Sequence, residues 1–167
     1  MSELIEYLDC ILVARKSVKR PKGIDGWPYC CLEEFVRLEG TAFTPPSSPE
    51  LTNGVERGVV KECYSNCWNH LASNPGCGLA YCEGYANGII PIMHAWLLAP
   101  DGTTVIDPTW PEPGTEYFGV AFRWDFAFET VMGKETYGVI DDWRNDWPLM
   151  QGVDPVKWKR EELENAR

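Results

Sequence analysis

Three residues of the types that cooperate in nucleophilic catalysis occur along the chain in the order Cys63, His94 and Asp107. A cysteine becomes a nucleophile when its thiolate is stabilised, a base takes its proton and a third group orients that base. Cys63 begins a predicted helix, where unpaired backbone N–H groups and the helix dipole favour a thiolate. The pattern therefore predicts a catalytic thiol.

The predicted strands explain how a base and a carboxylate could meet. His94 lies within the apolar segment 92–99, and Asp107 directly follows the segment 103–106. Pro100-Asp101-Gly102 joins the two segments and is typical of a tight turn. A hairpin would bring the carboxylate beside the imidazole, so that one ring nitrogen binds Asp107 and the other faces the thiol.

Each of these residues also has a structural interpretation. Cys63 could be an ordinary buried thiol, His94 a core histidine, and Asp107 the first residue of a turn. Cys67 shares a helix face with Cys63 and could be a rival nucleophile, a resolving thiol or a packing residue. His70 lies seven residues further along that helix, about 10 Å along its axis, which is too far for a hydrogen bond to Cys63.

The surrounding elements predict one α+β domain over residues 1–167, with its core at about 58–140. Helices are expected at residues 3–14 behind the N-cap Ser2, at 29–38 before Gly40, and at 63–72 before Asn74-Pro75-Gly76. Leu79–Ala86 is expected to be a further strand. The helix at the N-terminus is predicted from one apolar face, formed by Leu4, Ile5, Leu8, Ile11 and Leu12.

Three other segments are less regular. Residues 41–58 are rich in Pro, Ser, Thr and Gly, which predicts a long surface loop. Residues 117–140 favour irregular strand and loop. Asp154-Pro155 predicts the start of a polar helix running to about Asn165, anchored by Val156 or Trp158.

The composition limits the classes of function. The net charge of −10 disfavours nucleic-acid binding, and the basic run 15–22 is a local patch or a solvated loop. The N-terminus lacks the apolar region of a secretory signal, and no apolar stretch reaches the length of a membrane span. Seven cysteines, an odd number, favour free thiols in a reducing cytoplasm. The sequence leaves the oligomeric state open.

A structural zinc site is the alternative from another class of protein. Its ligands would come from the cluster Cys63, Cys67, His70, Cys77 and Cys82. Zinc sites more often contain Cys-x2-Cys pairs, and one helix carrying three ligands is an awkward way to close a tetrahedron. We therefore expect neither a metal nor any other cofactor.

The order of Cys63, His94 and Asp107 along the chain resembles that in the transglutaminase-like core of the papain-like cysteine enzymes. The surrounding sequence resembles even more closely a group of small, mostly uncharacterised phage and bacterial proteins. The resemblance covers about residues 58–124. It is carried by Lys61-Glu62-Cys63-Tyr64-Ser65-Asn66, Glu83-Gly84-Tyr85-Ala86, His94-Ala95-Trp96, Asp107-Pro108-Thr109-Trp110 and Tyr117-Phe118-Gly119-Val120. His-Ala-Trp followed by Asp-Pro-Thr is its more specific part.

The resemblance implies that Cys63 attacks a carboxamide or peptide carbonyl, with His94 as general base and acid and Asp107 orienting it. Hydrolysis of the thioester would make the chain a protease, amidase or deamidase; capture by an amine would make it a transglutaminase. The substrate would be a protein, a peptide or a small amide. Further residues expected near substrate or oxyanion are Tyr64, Asn66, Asn69, Glu83, Trp96 and Trp110.

Two features depart from the family pattern. Glu62 stands where a small residue is usual, and no Gln precedes Cys63 as an oxyanion donor, since Gln151 is the only Gln in the chain. The backbone N–H of Cys63 remains as a donor. The competing hypothesis is a catalytically silent papain-like scaffold that binds a protein through its acidic, aromatic-rich surface.

Overall fold

The computed structural model describes residues 2–18, 23 and 25–160. In this part of the chain, helices combine with a five-stranded antiparallel sheet, which is compatible with the predicted α+β class. None of the helices there is long and apolar enough to cross a membrane.

The helices confirm most of the periodicity argument. α1 spans Glu3–Lys16, buries Leu4, Leu8 and Leu12, and is capped by Ser2, whose hydroxyl accepts from Ile5 N–H at 3.3 Å. α2 spans Leu32–Glu39 and ends at Gly40. α3 spans Cys63–Ser73 and buries Cys63, Cys67, Trp68 and Leu71, a single face that packs on the sheet.

The strands follow the order β1-β5-β2-β3-β4 across the sheet. β2 spans Ala80–Asn87, β3 Pro91–Leu98, β4 Val105–Ile106 and β5 Glu116–Phe122. The edge strand β1, Thr41–Phe43, lies within the segment predicted to be loop, so that prediction was wrong for its first residues. Thr44 bridges to Thr104 beside β4, which brings the two edges of the curled sheet together.

The C-terminal third differs most from the sequence prediction. Trp124–Lys134 forms the helix α4, in a segment expected to be strand and loop. α5 spans only Pro155–Trp158, because Lys159 turns out of the helix to pair with Phe122. Trp158, 1% exposed, is its anchor, whereas Val156 is exposed. The rest of the predicted helix, from residue 161, and residues 19–22 of the basic run lie outside the described residues.

Two apolar clusters cover the two faces of the sheet. The larger one joins the sheet to α1, α2 and α3, and Cys63 belongs to it. The smaller one contains Phe43, Trp96 and Tyr117, with Trp110 packed against it. Since side chains alternate along a strand, His94 shares the face of Trp96. α3 packs against β3, the strand that carries His94.

Candidate active site

Cys63 is the first residue of α3 and is 7% exposed. Its backbone N–H is among the groups at a helix start that have no acceptor within the helix. Asn66, in the same first turn, fixes the segment leading into the helix. Its carbonyl accepts from Val59 N–H at 3.0 Å, and its amide donates to Val59 O at 2.8 Å. Lys61, in that segment, has a φ of 70°, a left-handed conformation uncommon for a residue other than glycine.

His94 and Asp107 are in direct contact. Nε2 of His94 lies 2.7 Å from Oδ2 of Asp107, and the residues are 1% and 3% exposed. Antiparallel pairing of β3 with β4 creates this contact, because Leu97 and Leu98 face Ile106 and Val105, and Asp107 continues from β4 toward His94. The other ring nitrogen is left for Cys63, whose thiol interacts with the imidazole.

The charges of this pair stabilise one another. Burial by itself lowers the pKa of His94, but the hydrogen bond with Asp107 and the interaction with Cys63 outweigh it and raise that pKa from 6.5 to about 9. For Asp107, burial by itself raises the pKa of the carboxyl group. The contact with His94 and two backbone N–H groups outweigh this effect and lower that pKa below its usual range. The site therefore favours an imidazolium–carboxylate pair beside the thiol.

Four donors satisfy the Asp107 carboxylate. Oδ1 accepts from the backbone N–H groups of Thr109 at 2.9 Å and Trp110 at 3.1 Å. Oδ2 accepts from Tyr117 Oη at 2.9 Å in addition to its contact with His94. Tyr117 Oη in turn accepts from Gly114 N–H at 2.9 Å. The carboxylate is thus held in one orientation toward the imidazole.

Arg57 holds the turn that follows β4. Its Nη1 donates to the backbone oxygens of Asp107, at 2.9 Å, and Trp110, and its Nη2 donates to Pro49 O at 2.7 Å. A small cavity of about 100 Å³ lies between this turn and residues 46–52. The long loop therefore packs against the Asp107 side of the site, and Arg57 connects the two.

Trp110 covers His94. Their ring centroids are 4.2 Å apart and the planes are nearly parallel, at 21°. Gly88 also lies against the indole, and a Cβ added there would come within 3.4 Å of the ring. This arrangement shields the imidazole from water on one face. Trp96 lies deeper, fully buried against Phe43 and Tyr117, so its indole faces the cluster and not the solvent.

The other predicted residues have structural contacts in this arrangement. Both amide protons of Asn66 are used, by Val59 O and by Thr109 Oγ1 at 2.9 Å, so Asn66 positions these two segments. Asn69 accepts from Tyr137 Oη at 3.1 Å. Tyr64 follows Cys63, and burial raises the pKa of its phenol. The Cys63 N–H, at the start of α3, remains a candidate oxyanion donor.

Glu83 is a buried structural carboxylate. It accepts from Tyr81 Oη at 2.6 Å and from the backbone N–H groups of Val139 at 2.6 Å and Ile140 at 2.9 Å. Burial raises its pKa against these hydrogen bonds. The adjacent Gly84 lies in regular register with Gly119, where a Cβ would approach Gly119 Cα to 2.4 Å. Gly84 thus permits close strand approach and forms no bulge.

The cysteines of the zinc hypothesis do not gather around a common point. Cys67 and Cys82 are buried, Cys77 is half-buried, and all seven cysteines are free thiols. In the part of the chain that the structure describes, no group of three or more His, Cys, Asp or Glu side chains is placed to hold a metal ion.

Sequence reasoning missed Tyr117 and Arg57 as parts of the site. A buried tyrosine needs a partner for its hydroxyl, which was the available signal for Tyr117, but no local pattern names Asp107 as that partner.

The chain matches no protein-family model, and no curated protein or solved structure shows significant similarity to it.

Proposed function

We propose that this chain is a cysteine-nucleophile acyl-transfer enzyme with a papain-like arrangement of helix and curled sheet. The observation that carries the proposal is the buried His94–Asp107 contact of 2.7 Å beside a cysteine at the first residue of α3. A nucleophile, a base and an orienting carboxylate in this relation are what thiol catalysis requires.

In the proposed reaction, His94 holds the proton of Cys63, and the thiolate Sγ attacks the carbonyl carbon of a carboxamide. The carbonyl oxygen takes up negative charge near the start of α3, where the Cys63 N–H donates to it. His94 then gives its proton to the departing amine, the C–N bond breaks, and a thioester remains on Cys63.

The thioester is released in a second half-reaction. A water molecule loses a proton to His94 and attacks the thioester carbon, and the Cys63 thiolate leaves. Hydrolysis makes the enzyme a protease or amidase, which is the form we propose first. Attack by an amine through the same steps makes it a transglutaminase, and hydrolysis of a side-chain amide makes it a deamidase. Asp107 and Tyr117 keep the imidazole oriented throughout.

The test is the pH dependence of iodoacetamide labelling, with each modified cysteine located by mass spectrometry. At pH 6 an ordinary thiol of pKa near 8.5 is only about 0.3% thiolate, so it reacts slowly. We expect Cys63 to be labelled at least about tenfold faster than the exposed Cys10. His94→Ala should abolish this advantage, and His70→Ala, which changes the other histidine of the chain, should leave it intact.

Labelling of Cys63 no faster than Cys10 at pH 6 would show that the thiol is not activated. The acyl-transfer proposal would then be wrong, and the hypothesis of a binding scaffold would take its place. A scaffold would still bind its protein partner after Cys63→Ala. An enzyme would lose its activity after the same change but remain folded.

A further inference from the structure

Aliphatic side chains are exposed in two segments beside the site. Val59 and Val60 are 67% and 65% exposed, just before α3. Ile89 and Ile90, between β2 and β3, and Ile92, the second residue of β3, are 102%, 65% and 40% exposed. Branched aliphatic side chains gain free energy when they leave water, so their grouping on a surface indicates a binding region. We call the two segments the aliphatic rims.

Both rims lie close along the chain to the proposed catalytic residues. Val59 is hydrogen-bonded in both directions to Asn66, in the first turn of the helix that begins at Cys63. Ile92 precedes His94 by two residues on β3, about 7 Å along the strand. The turn that carries Trp110 lies between the rims, because Gly58 N–H donates to Pro108 O at 2.8 Å and the Trp110 indole packs on Gly88.

We infer that the aliphatic rims bind aliphatic side chains of an extended peptide or protein substrate on the two sides of the carboxamide that Cys63 attacks. This inference rests on the proposed function. Side chains of an extended peptide are spaced by about 3.3 Å and alternate in direction, so several can contact rims on both sides of one bond. A small amide would occupy the thiol alone and leave both rims exposed.

The net charge of the protein favours a peptide over other macromolecules as the partner of the rims. With a net charge of −10, the protein repels phosphate backbones and anionic lipid surfaces. The apolar rims therefore favour a partner that supplies aliphatic side chains without dense negative charge, which describes a peptide segment better than a nucleic acid or an anionic membrane.

The experiment compares two peptidyl chloromethyl ketones of equal length, acetyl-Val-Val-Ala and acetyl-Ser-Ser-Ala. In each, Cys63 Sγ displaces chloride and forms one C–S bond, which intact-mass spectrometry follows over time. We expect the Val-Val probe to modify wild-type Cys63 about tenfold faster than the Ser-Ser probe. Because each probe extends only to the acyl side of the reacting carbon, one of the two changes, Val60→Ser or Ile90→Ser, should reduce this ratio about threefold or more, and neither should change the rate of labelling by iodoacetamide. Val13→Ser, an exposed change on α1, should leave the ratio unchanged.

Equal rates for both probes, with iodoacetamide labelling of Cys63 still selective and dependent on His94, would overturn the inference and leave the proposed function standing. Loss of selective iodoacetamide labelling would instead refute the proposed function, and the inference with it. Sedimentation velocity tests the remaining occupant: a wild-type dimer that Ile90→Ser converts to monomers would assign the rims to a second copy of the chain and overturn substrate binding.

Discussion

The hydroxyl of Tyr117 donates to the same Oδ2 atom of Asp107 that contacts His94, at 2.9 Å. The contact joins β5 to the residue that follows β4. These two strands are not neighbours in the sheet. Because the hydroxyl is buried and also accepts from Gly114 N–H, it links the turn before β5 to the site. Tyr117 is therefore both a structural residue and part of the environment of Asp107.

Removing that hydroxyl should reduce stability. Tyr117→Phe deletes a hydrogen bond to a charged group and leaves Gly114 N–H without its acceptor, which we expect to lower the free energy of unfolding by about 1.5–3 kcal/mol. Urea denaturation measures the change. The matched control is Tyr137→Phe, whose exposed hydroxyl contacts Asn69 at 3.1 Å and should cost less than about 1 kcal/mol. Equal losses in the two variants would contradict a special role for Tyr117.

His94 should titrate well above the usual range. The chain has two histidines, so two imidazole signals are expected in NMR, and His70→Ala assigns them. We expect a pKa of about 9 for His94 in the wild type. In Asp107→Asn the opposing effect of burial prevails, and the pKa should fall below 6.5. A His94 pKa near 6.5 in both proteins would mean that the two side chains do not interact.

The same titration makes stability depend on pH. Since the pKa of His94 is raised from 6.5 to about 9 in the folded state, its stabilising contribution is fully present below pH 6.5 and is lost as the pH rises through 9. The contribution is on the order of 3 kcal/mol. Urea denaturation at pH 6 and pH 9.5 should show this loss in the wild type beyond any loss in His94→Gln. A parallel decline in both proteins would exclude His94 as its source.

Arg57 should stabilise the turn after β4 through the geometry of its guanidinium. Arg57→Lys keeps the charge but replaces the planar guanidinium with a single nitrogen, which cannot occupy the positions of both Nη1 and Nη2. We therefore expect the free energy of unfolding to fall by about 1–2 kcal/mol and proteolysis within residues 45–57 to be faster. Arg37→Lys is the control, because Arg37 forms an exposed ion pair with Asp9 at 2.9 Å and should lose less than about 0.5 kcal/mol. An unchanged proteolysis rate would show that Arg57 does not hold the loop.

The buried ion pair of Lys134 with Asp142 should be intolerant of losing one partner. Nζ lies 3.2 Å from Oδ1, with both side chains at most 3% exposed, and Asn145 also donates to the carboxylate. Lys134→Met leaves a buried negative charge and should cost about 3–5 kcal/mol in urea denaturation. The double change to Met and Leu should recover much of that loss. A double variant as unstable as the single one would show that packing, not charge, is decisive.

The hairpin was predictable because its signals are local. Pro100-Asp101-Gly102 stands between two apolar runs, and Asp101 accepts from the backbone N–H groups of Thr103 and Thr104, as a turn residue commonly does. α4 was missed although Ala127, Val131 and Lys134 are buried at helical spacing. Its aromatic residues and Thr favour strand, and Arg123 supplies no side-chain cap. Packing against β2 and α5 outweighs these weak propensities.

The sequence by itself determined the order of Cys63, His94 and Asp107, the helix start at the cysteine and the hairpin that pairs the other two. These depend on turn residues and apolar periodicity within a few residues. Only the tertiary structure decided that Tyr117 and Arg57 hold Asp107, that Glu83 anchors Val139 and Ile140, and that the sheet edges meet at Thr44. Such contacts join residues far apart in the chain, and their energies depend on burial, which no local pattern encodes.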